Sequence, residues 1–304
     1  LVGNMRIFFL GTSAGVPTRD RNVSCVAVRR GGELLLFDVG EGAQRQLIKA
    51  GLGLKTKTKI FITHMHGDHL VGLLALLQTF SLAGREDPML VFGPEKVAAF
   101  INSNLEMMGV RPTFPIHMHT LSDGFVQENG EYIIRALRTR HSTETYALSL
   151  EEKQRPGKFN PEKAKSLKIP VTLWRNLQKG ERVTVGEREI DPRLVVSEPR
   201  KGRKIVISSD TYPIDAMVRF AEGADVLIHE STYGEDHLDK TEKNLHSSAG
   251  QAALIASRAL VRLLVLTHFS TRYNDLSALV KEARRVFPRV VAARDFMVVT
   301  VAYP

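Results

Sequence analysis

The stretch "FITHMHGDHL", residues 61–70, places three histidines and one aspartate within six residues, directly after an apolar run. His64 and His66 are two apart in a segment that leaves a strand, so their side chains can point the same way. Asp68 and His69 sit where the next helix begins. Neutral imidazole and carboxylate are good ligands for zinc or a similar divalent ion. Four ligands are too few for two metals, and further candidates stand at other strand ends. His141 follows "YIIRALRTR", Asp210 follows "KIVISS" and His268 follows "LLVLT". Ligand sites in α/β sheets gather outside the carboxyl ends of strands. Seven ligands drawn from four strand ends suit two ions, with a carboxylate such as Asp210 between them. Paired metals are a common device for hydrolysing phosphoesters. A structural zinc fits less well, since such sites favour cysteine.

The rest of the chain supplies a frame for such a site. "RIFFLGT", "CVAVRR", "ELLLFDVG" and "KIFIT" read as strands in the first half. "EYIIRALRT", "YALSLEE", "RKIVISS", "ADVLIHE", "RLLVLTHF" and "DFMVVTV" read as strands in the second. Helical patterns lie between them: "AQRQLIKAGL", "LVGLLALLQTFSL", "PEKVAAFINSNLEMMG", "SSAGQAALIASRAL" and "NDLSALVKEARRVF". Two sheets packed face to face with helices outside is the expected architecture, a four-layer αββα sandwich of the α/β class. The 304 residues, 43% hydrophobic and 25% charged, suffice for one large domain spanning 1–304.

Composition narrows the setting. No apolar stretch approaches the roughly 18 residues of a membrane span. "LVGNMRIFFLGT" is too short and mixed for a secretion signal. Met5 reads as the native start and the four residues before it as a cloning remnant. Cys25 is the only cysteine, which excludes intramolecular disulfides and thiolate-rich zinc clusters and fits a reducing cytoplasm. The formal charge of +9 points to a polyanionic partner or to a merely basic surface. Residues 151–182 carry nine Lys or Arg against four Glu, an excess of five and over half of that charge. Pro156, Gly157, Pro161 and Pro170 punctuate the segment. It reads as an inserted basic arm suited to phosphates, or else as a solvated charged hairpin. Phe159 and Trp174 either stack on RNA or pack the arm against itself.

The ligand pattern resembles the metallo-β-lactamase superfamily, whose HxHxDH motif is "HMHGDH" here, with "FDVGEG" (37–42) upstream. The resemblance implies that His64, His66 and His141 hold one metal and that Asp68, His69 and His268 hold the second. Asp210 would bridge, and Asp38 would orient a ligand histidine. Finer features resemble the ribonuclease Z family within that superfamily, over nearly the whole chain from Met5. "PTRDRN" (17–22) is similar to its PxKxRN loop, which marks Arg19, Arg21 and Asn22 as substrate contacts; "HEST" (229–232) is similar to its HEAT motif, "HSS" (246–248) to its HST motif and "AARD" (292–295) to its AxDx pattern. The arm, with "PGKFNPEKAKSL" (156–167), is similar to that family's tRNA-gripping exosite and marks Arg155, Lys158, Lys163 and Lys165.

This resemblance implies removal of the 3′ trailer from precursor tRNA by a metal-bridging hydroxide, leaving a 3′ hydroxyl. Asp68 would accept the water proton. His246, oriented by Glu230, would protonate the leaving oxygen. It also implies a homodimer in which one subunit's arm serves the other's site. Two other readings stand beside it. One is a hydrolase of small phosphodiesters or cyclic nucleotides, which leaves the arm unexplained. The other is a non-catalytic RNA-binding protein, which leaves the full ligand set unexplained. His117 and His119 in "IHMHT", and His229 and His237, carry ordinary structural roles.

Overall fold

The computed structural model describes residues 5–303; the segment ahead of Met5 lies outside the described residues. Two seven-stranded sheets form the frame. The first contains β1 (Met5–Gly11), β2 (Cys25–Arg30), β3 (Glu33–Phe37), β4 (Lys57–Phe61), β5 (Met89–Gly93) and β6 (Ile116–Thr120). The second contains β7 (Val126–Glu128), β8 (Tyr132–Arg138) and β9 (Tyr146–Glu152). Between β9 and the next strand of that sheet the chain makes a long excursion with its own hairpin, β10 (Val183–Val185) and β11 (Arg188–Ile190). The second sheet resumes with β12 (Lys204–Ile207), β13 (Val226–Glu230), β14 (Leu264–Thr267) and β15 (Val290–Ala292). Finally β16 (Val298–Val301) returns to the first sheet and pairs with β1.

Alternation along the strands makes this a four-layer sandwich. In β1, Ile7 and Phe9 face the second sheet, while Phe8 and Leu10 face the outer helices. Ile205 and Ile207 of β12 face inward, while Val206 meets the helices on the other side. Both faces are covered, so the strands read as nearly unbroken apolar runs rather than alternating ones. Phe61 sits between Phe37 and Phe92, with ring centroids 5.2 and 4.6 Å away, and is fully buried. Truncating it to alanine removes about 3–5 kcal/mol of stability.

The strands and helices read from the sequence are present, with ends shifted by a few residues. Short strands such as β5, β6 and β15 were not singled out, because three to five residues carry too little periodicity. His117 and His119 lie on the edge strand β6, exposed, with His119 stacked on Phe92. No described helix is long and apolar enough to cross a membrane.

The excursion between β9 and β12 has an apolar cluster of its own. Ala164, Ile169, Leu177, Val183, Ile190 and Val195 are buried there, with Phe159 and Trp174 against them. The two aromatic rings lie 5.1 Å apart, so they pack the arm internally. Asn160 caps the helix Pro161–Ser166 by accepting from the Lys163 N–H. The hairpin and the return strand fold with this helix, so the structural unit extends past residue 182 to about residue 200. Antiparallel pairing puts Glu151 opposite Lys204, at the end of β12 away from Asp210. The arm therefore leaves the sheet at the end opposite the histidines, roughly 20 Å off along the seven residues of β9.

Candidate metal centre

β3 and β4 run parallel in one sheet, and β12, β13 and β14 run parallel in the other. Their carboxyl ends meet at one edge of the sandwich. Asp38 follows β3, His64–His69 follow β4, Asp210 follows β12, Glu230 closes β13 and His268 follows β14. His141 joins them from the β8–β9 turn, which is pinned there by the Tyr146 N–H donating to the Thr63 carbonyl at 3.1 Å. The backbone bends sharply to bring these side chains round. Asp38, Ser209, Leu245 and His268 all adopt left-handed conformations, with φ of 61°, 54°, 57° and 57°. Each costs about 1–2 kcal/mol and persists only where its surroundings hold it. Gly40 and Gly72 allow close approach: a Cβ on Gly40 would lie 2.4 Å from the Asp68 carbonyl oxygen, and one on Gly72 1.9 Å from that of Gly40.

Hydrogen bonds then orient each ring. Asp38 accepts from the Thr63 N–H (2.8 Å), the Thr63 hydroxyl (2.9 Å) and His69 Nδ1 (2.7 Å). His64 Nδ1 lies 3.0 Å from the same Thr63 hydroxyl. His141 Nδ1 donates to the Leu245 carbonyl at 2.9 Å. His268 Nδ1 donates to the Thr232 hydroxyl at 2.9 Å, and that hydroxyl donates to Glu230 at 2.7 Å. With Nδ1 engaged, Nε2 of each ring is the atom left to face a cation.

These atoms converge. His64 Nε2 and His141 Nε2 lie 3.1 and 3.2 Å from His66 Nδ1. His69 Nε2 lies 3.3 Å from His268 Nε2. Asp210 Oδ2 is central, 3.4 Å from His69 and His268, 3.7 Å from His64 and 3.8 Å from His141. Asp68 Oδ2 stands 3.3 Å from His268 and accepts the Gly15 N–H at 2.8 Å. The donors form neighbouring groups: His64, His66, His141 and Asp210; Asp68, His69 and His268; and, reaching the ring beside them, Asp210, His246 and His268. Lone pairs at such separations repel unless cations share them, so the donor set fits divalent metal.

The charges of the metal-free site divide: burial opposes a charged His69, but the Asp210 and Asp38 carboxylates prevail and hold it well above the usual histidine range, a proton that a bound cation would displace. Burial first, and then neighbouring imidazoles, push His64, His66 and His141 below the usual histidine range, towards the neutral form a metal ligand needs. At Asp210 burial opposes ionisation, but His268 and His69 outweigh it and hold the carboxyl far below its ordinary value. At Asp68 hydrogen bonds with His268 and His69 likewise overcome burial and depress the pKa.

His246 stands beside this cluster. Ser248 and Gln251 form a capping box that starts the helix Ala249–Arg258 and fixes the turn before it. His246 Nδ1 lies 2.8 Å from Glu230 Oε1, which also accepts the Thr211 N–H at 2.9 Å. Its ring lies 4.8 Å from His141 and 5.5 Å from His268, between centroids. Burial disfavours the charged form, but the Glu230 charge and hydrogen bond prevail and raise His246 to about 9.

The expected RNA contacts divide. Arg19, Lys158, Lys163 and Lys165 are exposed. Arg21 and Asn22 bind the protein itself: Arg21 donates to the Tyr273 carbonyl at 2.8 Å, and Asn22 to the Glu41 carbonyl at 2.8 Å. Arg155 packs at the root of the arm against Tyr303. Asp295 ties the loop that carries Gly15, accepting from the Thr12 hydroxyl (2.8 Å), the Asn22 N–H (2.8 Å) and Gln46 (3.0 Å). Thr63, Thr232, Gly15 and Leu245 were missed by sequence reasoning. The threonines adjoin motif residues and offered a faint signal; the two backbone groups offered none.

A model of the anti-Pycsar protein Apyc1 family matches residues 5–155. Ribonuclease Z of Nitrosopumilus maritimus (strain SCM1) is 44% identical over 294 residues, covering 96% of this chain and 98% of its own. Ribonuclease Z of Methanosarcina acetivorans is 41% identical over 301 residues, covering 98% and 99%. Among solved structures, the short form of human tRNase Z superposes with a TM-score of 0.74 at 29% identity, covering 98% of this chain and 100% of that one. The metallo-β-lactamase fold protein YhfI from Bacillus subtilis, at 19% identity and a TM-score of 0.70, shares the fold, covering 98% and 99%. With relatives this similar along nearly its whole length, and a metallo-β-lactamase fold, the chain belongs to the ribonuclease Z family.

Proposed function

We propose that this chain is a metal-dependent endoribonuclease that removes the 3′ trailer from precursor tRNA, and that its site uses two divalent ions, zinc by the chemistry of the donors. The observation that supports it most is the convergence of imidazole nitrogens on Asp210 beside a His246–Glu230 pair. His64, His66 and His141 would hold one ion, Asp68, His69 and His268 the other, with Asp210 between them. Bound there, the ions would lower the pKa of a water and offset charge on the phosphoryl oxygens. Asp68, steadied by the Gly15 N–H, would accept the water's proton. His246, steadied by Glu230, carries a proton for the departing 3′ oxygen of the tRNA.

We read the whole chain as one domain with an inserted exosite arm. Exposed Lys158, Lys163 and Lys165 suit phosphates of a folded tRNA, recognised by shape. The arm roots at the end of the sheet away from the metal centre. That placement favours a homodimer in which each arm grips tRNA bound at the partner's site. Buried, unpaired Cys25 suits a cytoplasmic setting. A small phosphodiester as natural substrate leaves the arm without a role.

The test is incubation with 3′-extended precursor tRNA and, separately, with a nitrophenyl phosphodiester. The expected result is a single cut in the RNA that leaves a tRNA 3′ hydroxyl and a trailer 5′ phosphate. Turnover of the small diester with intact RNA would overturn the proposal.

A further inference from the structure

The arm meets the body through a narrow stalk. Arg155 and Arg200 exchange backbone hydrogen bonds of 2.8 and 2.9 Å; Ser197 donates to the Lys158 carbonyl at 2.9 Å and Asn160 to that of Val195 at 2.7 Å. The apolar cluster of the arm shares no residue with the three clusters of the body. A two-stranded ribbon of this kind bends easily on its own. Six residues of stalk span roughly 20 Å, so a swing of about 10° at the root displaces the far end by about 3.5 Å. That shift is enough to lose a phosphate contact.

One side chain braces the root from the opposite sheet. Tyr303 follows β16 of the first sheet, whereas the stalk belongs to the second. Its ring lies between two guanidinium groups, with Arg155 3.4 Å and Arg203 3.9 Å from the centroid. Arg155 comes from the outgoing strand and Arg203 from the returning one, so the ring grips both. Arg203 also donates to the Tyr303 hydroxyl at 3.1 Å and to the Val301 carbonyl at 3.0 Å, and pairs with Glu152 at 2.8 Å. Glu152 in turn binds Arg30 of β2 at 2.8 Å. The strands leave no slack beneath the ring, since a Cβ on Gly202 would lie 2.2 Å from the Glu152 carbonyl oxygen. Arg203 is buried while Arg155 and Tyr303 are half-buried, and cation–π contacts strengthen as the cation is desolvated.

We infer that Tyr303 is a positioning residue for substrate, a wedge that fixes the direction of the arm and so the affinity for tRNA, without touching RNA or the metal centre. The inference rests on the arm's being the tRNA exosite. Tyr303→Ala is expected to raise KM for precursor tRNA roughly tenfold, with kcat, metal content and turnover of a nitrophenyl phosphodiester within about twofold of the parent. Tyr303→Leu, which keeps bulk but no π face, should behave like alanine. Tyr303→Phe should restore most of the affinity because the ring remains. Parental KM in both the alanine and leucine variants would overturn the wedge, as would equal losses on RNA and the small diester. Deleting the arm in parallel separates the two ideas. If the deletion leaves KM for tRNA unchanged, the exosite reading fails and takes the wedge with it. If the deletion raises KM while Tyr303→Ala does not, the wedge alone fails.

Discussion

Asp210 is 3% exposed and faces four imidazole rings, while Lys163 on the arm is exposed to solvent. The two regions differ in how they use charge. At the metal centre, Thr63, Thr232 and the Leu245 carbonyl fix ring orientation, burial turns His64 towards its neutral form, and neighbouring imidazoles keep Asp210 ionised against burial. In such a low-dielectric site a displaced donor is costly, so position carries the chemistry. On the arm, exposed lysines keep their hydration and their rotamer freedom. They attract phosphate through charge that salt screens, and small shifts of one lysine matter little. Rigidity is needed at the root of the arm rather than at its lysines.

If this division of labour holds, damage at the two regions has different signatures. Asp210→Ala removes the oxygen proposed to lie between the two ions. Metal content should fall at both positions by elemental analysis, and turnover of RNA and of a nitrophenyl diester should each drop roughly a thousandfold or more. Two tightly bound metals with normal activity would reject the central role of Asp210. His246→Ala should keep its metal and bind RNA nearly as the parent does, while its RNA cleavage rate falls by roughly 10²–10⁴-fold. A nitrophenolate leaves without protonation, so single-turnover rates on that diester should fall far less. Equal losses on both substrates would point to phosphate binding by His246 instead.

Removal of the whole arm, with residues 156–199 replaced by a short glycine–serine linker, should leave small-diester turnover intact. Precursor tRNA binding should weaken by roughly 10–100-fold at low salt, with a flatter dependence on salt concentration because fewer counterions are released. Loss of both activities in a folded, metal-loaded protein would contradict the separation of the two regions. Thr232→Val is a finer probe, since the threonine links Glu230 to His268. Metal affinity should fall by roughly tenfold in a competition titration with a chelator, because the ring loses its guide.

The smallest expected effect concerns stability. Glu230 raises His246 to about 9 from an ordinary value near 6.5. The folded state of the metal-free protein therefore holds this proton more tightly than the unfolded state does. The resulting stabilisation is complete below about pH 6.5 and is lost as pH rises through about 9. The Tm gap between the metal-free parent and His246→Ala should shrink between pH 6 and pH 10. Bound cations lower the pKa of His246 and narrow this window.

The ligand types, their place at strand ends and the basic character of the arm were all legible in the sequence. Strand ends are marked by local apolar runs, and "HMHGDH" packs four ligand-type residues into one turn. Short strands were not legible, since β15 has three residues and is held by its place beside β14. Nor was the full extent of the arm, because its buried residues come from both sides of residue 182 and are joined only by folding.

The sequence by itself determined which chemistry this protein could perform, because coordination depends on residue type and local spacing. Only the tertiary structure decided how that chemistry is held in place. Thr232 and Gly15 become anchors through contacts with residues 36 and 53 positions away. Tyr303 meets Arg155 only because one sheet packs on the other. Such pairings depend on distances in space that no local pattern records. The arm's departure from the end of the sheet away from the histidines likewise follows from the antiparallel pairing of β9 with β12.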